Sequence, residues 1–337
     1  MQIEDTPFDP ALSEGARNAV RTCLRIQSHE KVTLITDAVS REIAAAISKQ
    51  LQDLGAPHRE WVLEEHGSRP LTAMPAAILA DLETSQVSIF AVVAQTNELR
   101  SRMQMTEVVN RRKIRHAHMV NITRRIMMEG MRSDYDAVDA LSVRLLEITR
   151  TAASIRAQNA AGTDITAAMN PDYKWLKTSG IISENTWGNL PGGEVWTTPG
   201  EVNGIFVVDG VVGDYLCAKY GDLKDTPLTL RIKGNRLTEA YSVNKELEAE
   251  FWQYTHTDEN SDRVGEFAIG TNIGVHDVIG NILQDEKIPG VHIAFGNPYG
   301  DHTGAQWYSS THIDVVGRQF DIWADDRQLM RNGQFTL

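Results

Sequence analysis

Five residues in the second half of the chain carry the side chains that hold divalent metals: Glu194, Glu266, His292, His312 and Asp314. They lie in four short segments, each glycine-flanked or β-like: PGGEVWTTP at 191–199, GEFAIGTN at 265–272, VHIAFGNPY at 291–299 and SSTHIDV at 309–315. Neutral imidazole with carboxylate oxygens suits zinc, cobalt, manganese or iron. His312 and Asp314 are two apart, so a strand turns both to one face and sends Ile313 and Val315 to the other. Three carboxylates and two imidazoles also suit a pair of ions. A shared carboxylate bridges ions about 3.5–4 Å apart, and the pair polarises a carbonyl and activates water. The same residues leave a mononuclear alternative open, a triad of His292, His312 and Asp314.

The elements that must position these groups change along the chain. The first 160 or so residues alternate strands and helices. Ala11–Ile26 has helical spacing, and Lys31–Asp37 is a short β-rich run. Ser40–Leu54 is a helix closing on Gly55, a natural C-cap residue. His58–Leu63, Val87–Gln95 and His116–Thr123 read as further strands. Pro75–Leu82 reads as a helix, and Asp134–Asn159 as a long one. This alternation predicts a parallel sheet covered by helices. Neither GxGxxG nor GxxxxGK[ST] occurs, so the sheet gives no reason to bind a nucleotide. From about Gly162 glycines and short β-rich runs dominate, with helices expected at Ser242–Phe251 and His276–Leu283. The expected fold is α/β: a parallel-sheet α/β domain over 1–165, then a mainly β, α+β catalytic domain over 166–337 that holds the metal site.

Composition removes other classes. Lys and Arg number 33 against 45 Asp and Glu, a net charge of −12, which disfavours a nucleic-acid backbone as partner. No apolar run reaches the 18 or so residues of a membrane span. Cys23 and Cys217 are the only cysteines, which fits a reducing compartment. The opening residues, MQIEDTPFDP, lack the basic-then-apolar pattern of a secretory signal, so a cytoplasmic location is expected.

Taken in order, the four segments resemble those of the aminopeptidase T and aminopeptidase S family of metallopeptidases. That family shows a Pro-Xaa-Gly-Glu-Val stretch, a Gly-Glu stretch, a His-Ile-Ala-Xaa-Gly stretch and a His-Xaa-Asp stretch; here they are PGGEV, GEF, HIAFG and HID. The resemblance implies that Glu194, Glu266, His292, His312 and Asp314 are metal ligands and that Tyr299 is catalytic; one glutamate, Glu266 or else Glu194, is expected to shuttle a proton to the leaving amine, which makes Glu266 the second catalytic candidate. Tyr299 stands seven residues after His292, where the family's tyrosine is thought to stabilise the tetrahedral intermediate. It also implies two divalent ions (zinc, cobalt, manganese or magnesium), a short-peptide or other small-molecule substrate and a homodimer. Two features depart from the pattern: a short interval between His292 and His312, and a chain shorter than is typical. A branch of the superfamily resembles 2,5-dihydroxypyridine 5,6-dioxygenase, with one ferrous ion on two histidines and an aspartate. The first of those histidines aligns with Glu266, so retention of Glu194 and Glu266 favours the hydrolase.

Other candidates read as structural. His116 and His118 face one side of a strand and suit a buried polar pair. Asp37 ends the first strand. His256, His276 and His302 are weaker candidates, of which His302 lies close enough to Tyr299 in sequence to reach the pocket. Trp187, Trp196, Trp307 and Trp323 crowd the second half, where Trp196 and Trp307 flank the proposed site.

Overall fold

The computed structural model describes residues 3–184 and 188–337; Trp187 lies outside them. The chain forms two compact units, Met1–Asp136 with Gly180–Gly192, and Ala137–Ser179 with Gly193–Leu337. The division therefore falls elsewhere than at 165/166. Strands Ser154–Gln158 and Asp164–Ala168 pair with each other and join a sheet of the second unit, which places this stretch there.

The first unit is the expected parallel sheet, in the order His58–Val62, Val32–Thr36, Val87–Val92, Arg115–Val120, Gly188–Asn189. Val87–Val92 is buried at every position, as a central strand covered on both faces must be. Helix Arg41–Leu54 ends on Gly55 at φ 74°, a left-handed conformation that glycine adopts without a Cβ penalty. Beyond the strand ends lies a buried ionic knot. Arg69 Nη1 donates to Asp37 at 2.7 Å, while its Nε and Nη2 donate to the two oxygens of Glu98 at 2.8 and 2.5 Å. Nη2 also donates to the Val93 carbonyl at 2.6 Å. Asp37 accepts the amides of Ser40 and Val93, so its role is structural, as expected. His116, fully buried, and His118, half-buried, lie 3.2 Å apart, with Ser88 at 2.8 Å from His116. Burial holds both rings below the usual histidine range, His118 at about 3.

The second unit has two antiparallel sheets with one apolar core between them. The larger has eight strands: Arg236–Ser242, Leu228–Lys233, Glu201–Val208, Asp164–Ala168, Ser154–Gln158, Asp321–Ala324, Arg327–Arg331 and Gln334–Phe335, in that order. The smaller runs His312–Val316, Gly290–Gly296, Val264–Gly270, Glu194–Thr197, Leu176–Lys177. Its inward residues are Val195, Phe267, Ile269, Val291, Ile293, Phe295, Ile313 and Val315, all fully buried in that core with Phe206, Leu230 and Ile322 of the larger sheet. Period-two alternation then forces the residues between them onto the opposite face.

Two helices differ from expectation. The long one stops at Thr149, because Ser154–Gln158 alternates and buries only Ile155 and Ala157. The one expected at His276–Leu283 is only Ile282–Asp285. Gly280 at φ 75° interrupts the run, and Asn281 caps the short helix by accepting the Leu283 amide. Among the described residues no helix is long and apolar enough to cross a membrane.

Candidate metal centre

All five proposed ligands lie on the outer face of the smaller sheet. Glu194, Glu266, His292 and the pair His312 and Asp314 come from four adjacent strands. Register brings them together: Ala268 faces both Trp196 and His292 across the ladder, and Ala294 faces both Glu266 and Asp314. The two alanines keep the middle of this face low, so the longer acidic and imidazole side chains can converge above it.

Two glycines make the placement possible. In the pairing of Val264–Gly270 with Gly290–Gly296, Val264 opposes Phe295 and Glu266 opposes Ala294, so Gly265 is the extra residue of a β-bulge. A Cβ on Gly265 would lie 2.4 Å from the Gly296 carbonyl oxygen. Through the bulge Val264 stays in the core while Glu266 turns to the outer face. Gly193, at φ 134°, lets the chain before Glu194 pass Asn272, whose Cβ would be 2.7 Å from any side chain there. The Gly193 amide and the Thr178 amide then exchange bonds with the Thr178 and Glu194 carbonyls at 2.8 and 3.1 Å.

The donor atoms fall into two groups, Glu194–Glu266–His292 and Glu266–His312–Asp314, each with its atoms within 4.8 Å of one another. Glu266 belongs to both. Its Oε1 is 3.4 Å from His292 Nε2 and its Oε2 3.6 Å from His312 Nε2. Glu194 Oε2 is 3.5 Å from His292 Nε2, and Asp314 Oδ1 is 3.4 Å from His312 Nε2. These separations exceed the 2.7–3.2 Å or so of an N–H···O bond. They match the edge of a tetrahedron around an ion with bonds of about 2.0–2.2 Å, which is about 3.3–3.6 Å. The residues therefore fit metal ions in spacing as well as in chemistry.

The surrounding groups aim the ligands. His312 Nδ1 is 3.0 Å from the Asn297 carbonyl, which can only accept, so Nδ1 carries the proton and Nε2 is the free donor atom. Glu194 Oε1 accepts from Thr178 at 2.6 Å and from Lys287 at 2.8 Å, leaving Oε2 toward His292. Lys287 also meets Glu286 at 2.5 Å. Burial works against the charge of Glu194, but Lys287, His292 and Thr178 outweigh it and hold the carboxyl below its usual range. Burial, with the nearby Asp314 and Glu194 charges, pushes Glu286 up despite Lys287. For His292 and His312 burial favours the neutral ring. The carboxylates prevail (Glu266 and Glu194 at His292, Asp314 and Glu266 with Tyr299 at His312), and both rings sit above the usual histidine range.

Tyr299 stands at the rim, partly exposed, in the left-handed conformation at φ 48°, which is costly for a bulky residue. Its amide donates to Asn297 Oδ1 at 2.9 Å, and its ring lies 4.6 Å from that of His312 and 5.9 Å, edge-on, from that of Trp196. His312 favours the phenolate, but burial and the site's carboxylates prevail and keep the phenol protonated. His302 is exposed on the next turn, and Trp307 packs under Arg263 at 4.2 Å. His256 stacks on Trp252. His276 belongs to neither donor group. The sequence reading omitted Thr178, Glu286, Lys287 and Asn297. The one usable signal was the charged run DEK just before the His292 strand, which reads as an exposed loop.

Residues 140–335 match the family model of the thermophilic metalloproteases, M29. The match spans more than half of the chain, and the protein belongs to that family: it is a metal-dependent hydrolase of the aminopeptidase type. Two solved structures share the fold over 98% of this chain. One is the 2,5-dihydroxypyridine dioxygenase of Pseudomonas putida KT2440, at TM-score 0.71 and 15% identity over 98% of its own length. The other is wild-type AmpT of Thermus thermophilus, at TM-score 0.70 and 16% identity over all of its length. No curated protein sequence matches the chain.

Proposed function

We propose that the protein is a two-ion aminopeptidase that cleaves the N-terminal peptide bond of short peptides. The observation that carries this reading is Glu266, with one oxygen in each donor group. Glu194, Glu266 and His292 would hold one ion, and Glu266, His312 and Asp314 the other. When bound, two divalent ions supply a polarised carbonyl and an ionised water at neutral pH. Each Glu266 oxygen keeps a second lone pair, so the carboxylate can take the proton of the attacking water and pass it to the leaving amine. The protonated phenol of Tyr299 donates a hydrogen bond to the oxyanion that develops on the carbonyl. Trp196, beside Tyr299, offers an apolar wall for the substrate's side chain.

A ferrous triad of His292, His312 and Asp314 fits the geometry less well, because the two imidazoles fall in different groups on either side of Glu266. The test is elemental analysis of the purified protein with aminoacyl-p-nitroanilides and dihydroxypyridines as substrates. Two divalent ions per chain with release of p-nitroaniline supports the proposal. One iron per chain with oxygen uptake on dihydroxypyridines overturns it. Within the same reading, Tyr299→Phe is expected to lower kcat about 10²-fold with KM and metal content unchanged. An unaltered kcat would remove the phenol from the mechanism.

A further inference from the structure

The two donor groups differ in one respect that their ligand types hide: the first has a lysine inside it. Lys287 is 2% exposed, and its ammonium lies 2.8 Å from Glu194 Oε1 and 2.5 Å from Glu286 Oε1. It comes from the loop after helix Ile282–Asp285, outside the ligand-bearing strands. Its backbone is pinned on both sides: its amide donates to the Gln284 carbonyl at 2.9 Å, and its carbonyl accepts the Asn272 amide at 3.0 Å. The ammonium is therefore a built part of the centre. Orienting Glu194 is a task it shares with Thr178, which holds the same oxygen at 2.6 Å. What it adds is charge. It occupies one oxygen of Glu194, limiting that ligand to a single donor atom. It also sets a buried positive charge one carboxylate away from an incoming dication, where repulsion is weakly screened.

Resting on the two-ion reading, we infer that Lys287 is a resident cation that makes the two half-sites unequal. The Glu266–His312–Asp314 group loads first, and the Glu194–Glu266–His292 group fills only at a free metal concentration at least about tenfold higher. The more open walls of the first-loading group agree with this order: His312 and Asp314 side chains are 18% and 14% exposed, against 2% for His292.

The test is a calorimetric titration of the full-length, metal-free protein with manganese(II). The wild type should bind in two steps at least about tenfold apart, and His312→Ala should lose the tighter one. Lys287→Met keeps the length of the side chain without its charge, and should strengthen the weaker step at least about tenfold, drawing the two together. Lys287→Gln should act in the same direction, with circular dichroism confirming the fold of each variant. Should both Lys287 variants fail to fold, the wild-type steps and His312→Ala still decide the order of loading. Two equal wild-type steps, or a weaker step unchanged or weakened by Lys287→Met, overturn the inference and leave the two-ion reading standing. A single ion at saturation in wild type and variant alike defeats that reading itself.

Discussion

Glu266→Gln is expected to lower kcat/KM by about 10³-fold or more and to reduce metal content at both half-sites together. Glutamine keeps the shape of the side chain but loses the charge, and one of its two ends becomes a donor that cannot face a cation. No other side chain belongs to both donor groups among the described residues. Each other ligand substitution weakens one group; this one weakens two and removes the proposed base. The loss expected of a metal-assisted hydrolase is several kcal/mol, and each 1.4 kcal/mol or so is tenfold in rate. The fold should survive, because Glu266 is buried on the outer face and the core residues Phe267 and Ile269 point the other way. Elemental analysis, initial rates and a thermal melt of the metal-free variant decide it. Wild-type turnover with normal metal content would remove Glu266 from the site.

Arg69→Met is expected to destabilise the first unit by about 3–5 kcal/mol, because it strands two buried carboxylates. Asp37 and Glu98 both lean on the guanidinium, and Glu98 is 3% exposed. The pH dependence follows from the same knot. Burial alone would raise the Glu98 pKa, but Arg69 and the Leu71 amide bring it below the ordinary value. A folded-state value below the unfolded one, about 4.3, gives stability that is fully present above that pH. It is lost as pH falls through the folded value. Without Arg69 the sign reverses: burial dominates, the folded carboxyl titrates higher, and stability declines as pH rises above the unfolded value of about 4.3. Urea unfolding midpoints between pH 3.5 and 7.5 or so should therefore slope in opposite directions for wild type and variant. Parallel slopes would show that the knot contributes little through Glu98.

Much of the site was legible because strands repeat every two residues. His312-Ile313-Asp314 announces a polar face and a core face, and both are found. The ordered segments then named one candidate ligand from each neighbouring strand. What the sequence hid were contacts made across chain distance. Lys287 looks like one charge in a solvated loop, and only the fold seals it beside Glu194. Thr178 and Asn297 are ordinary residues whose backbone surroundings bring them to a ligand atom. The misread helix has the same origin. Apolar residues continue past Thr149, but at Ile155 and Ala157 their period changes from helical to alternating. Five residues are too few to show that change against a long helical run.

The bulge at Gly265 has one further meaning. It acts as a phase shifter, letting one strand serve two faces whose residue counts would otherwise disagree. Val264 enters in step with the core, and Glu266 leaves in step with the ligands. Were Gly265 paired in the ladder instead of bulged out, Val264 and Glu266 would stand two apart on one face, which forces a choice between an apolar side chain outside and an acid inside. The bulge is thus as much a part of the arrangement of the candidate ligands as any side chain.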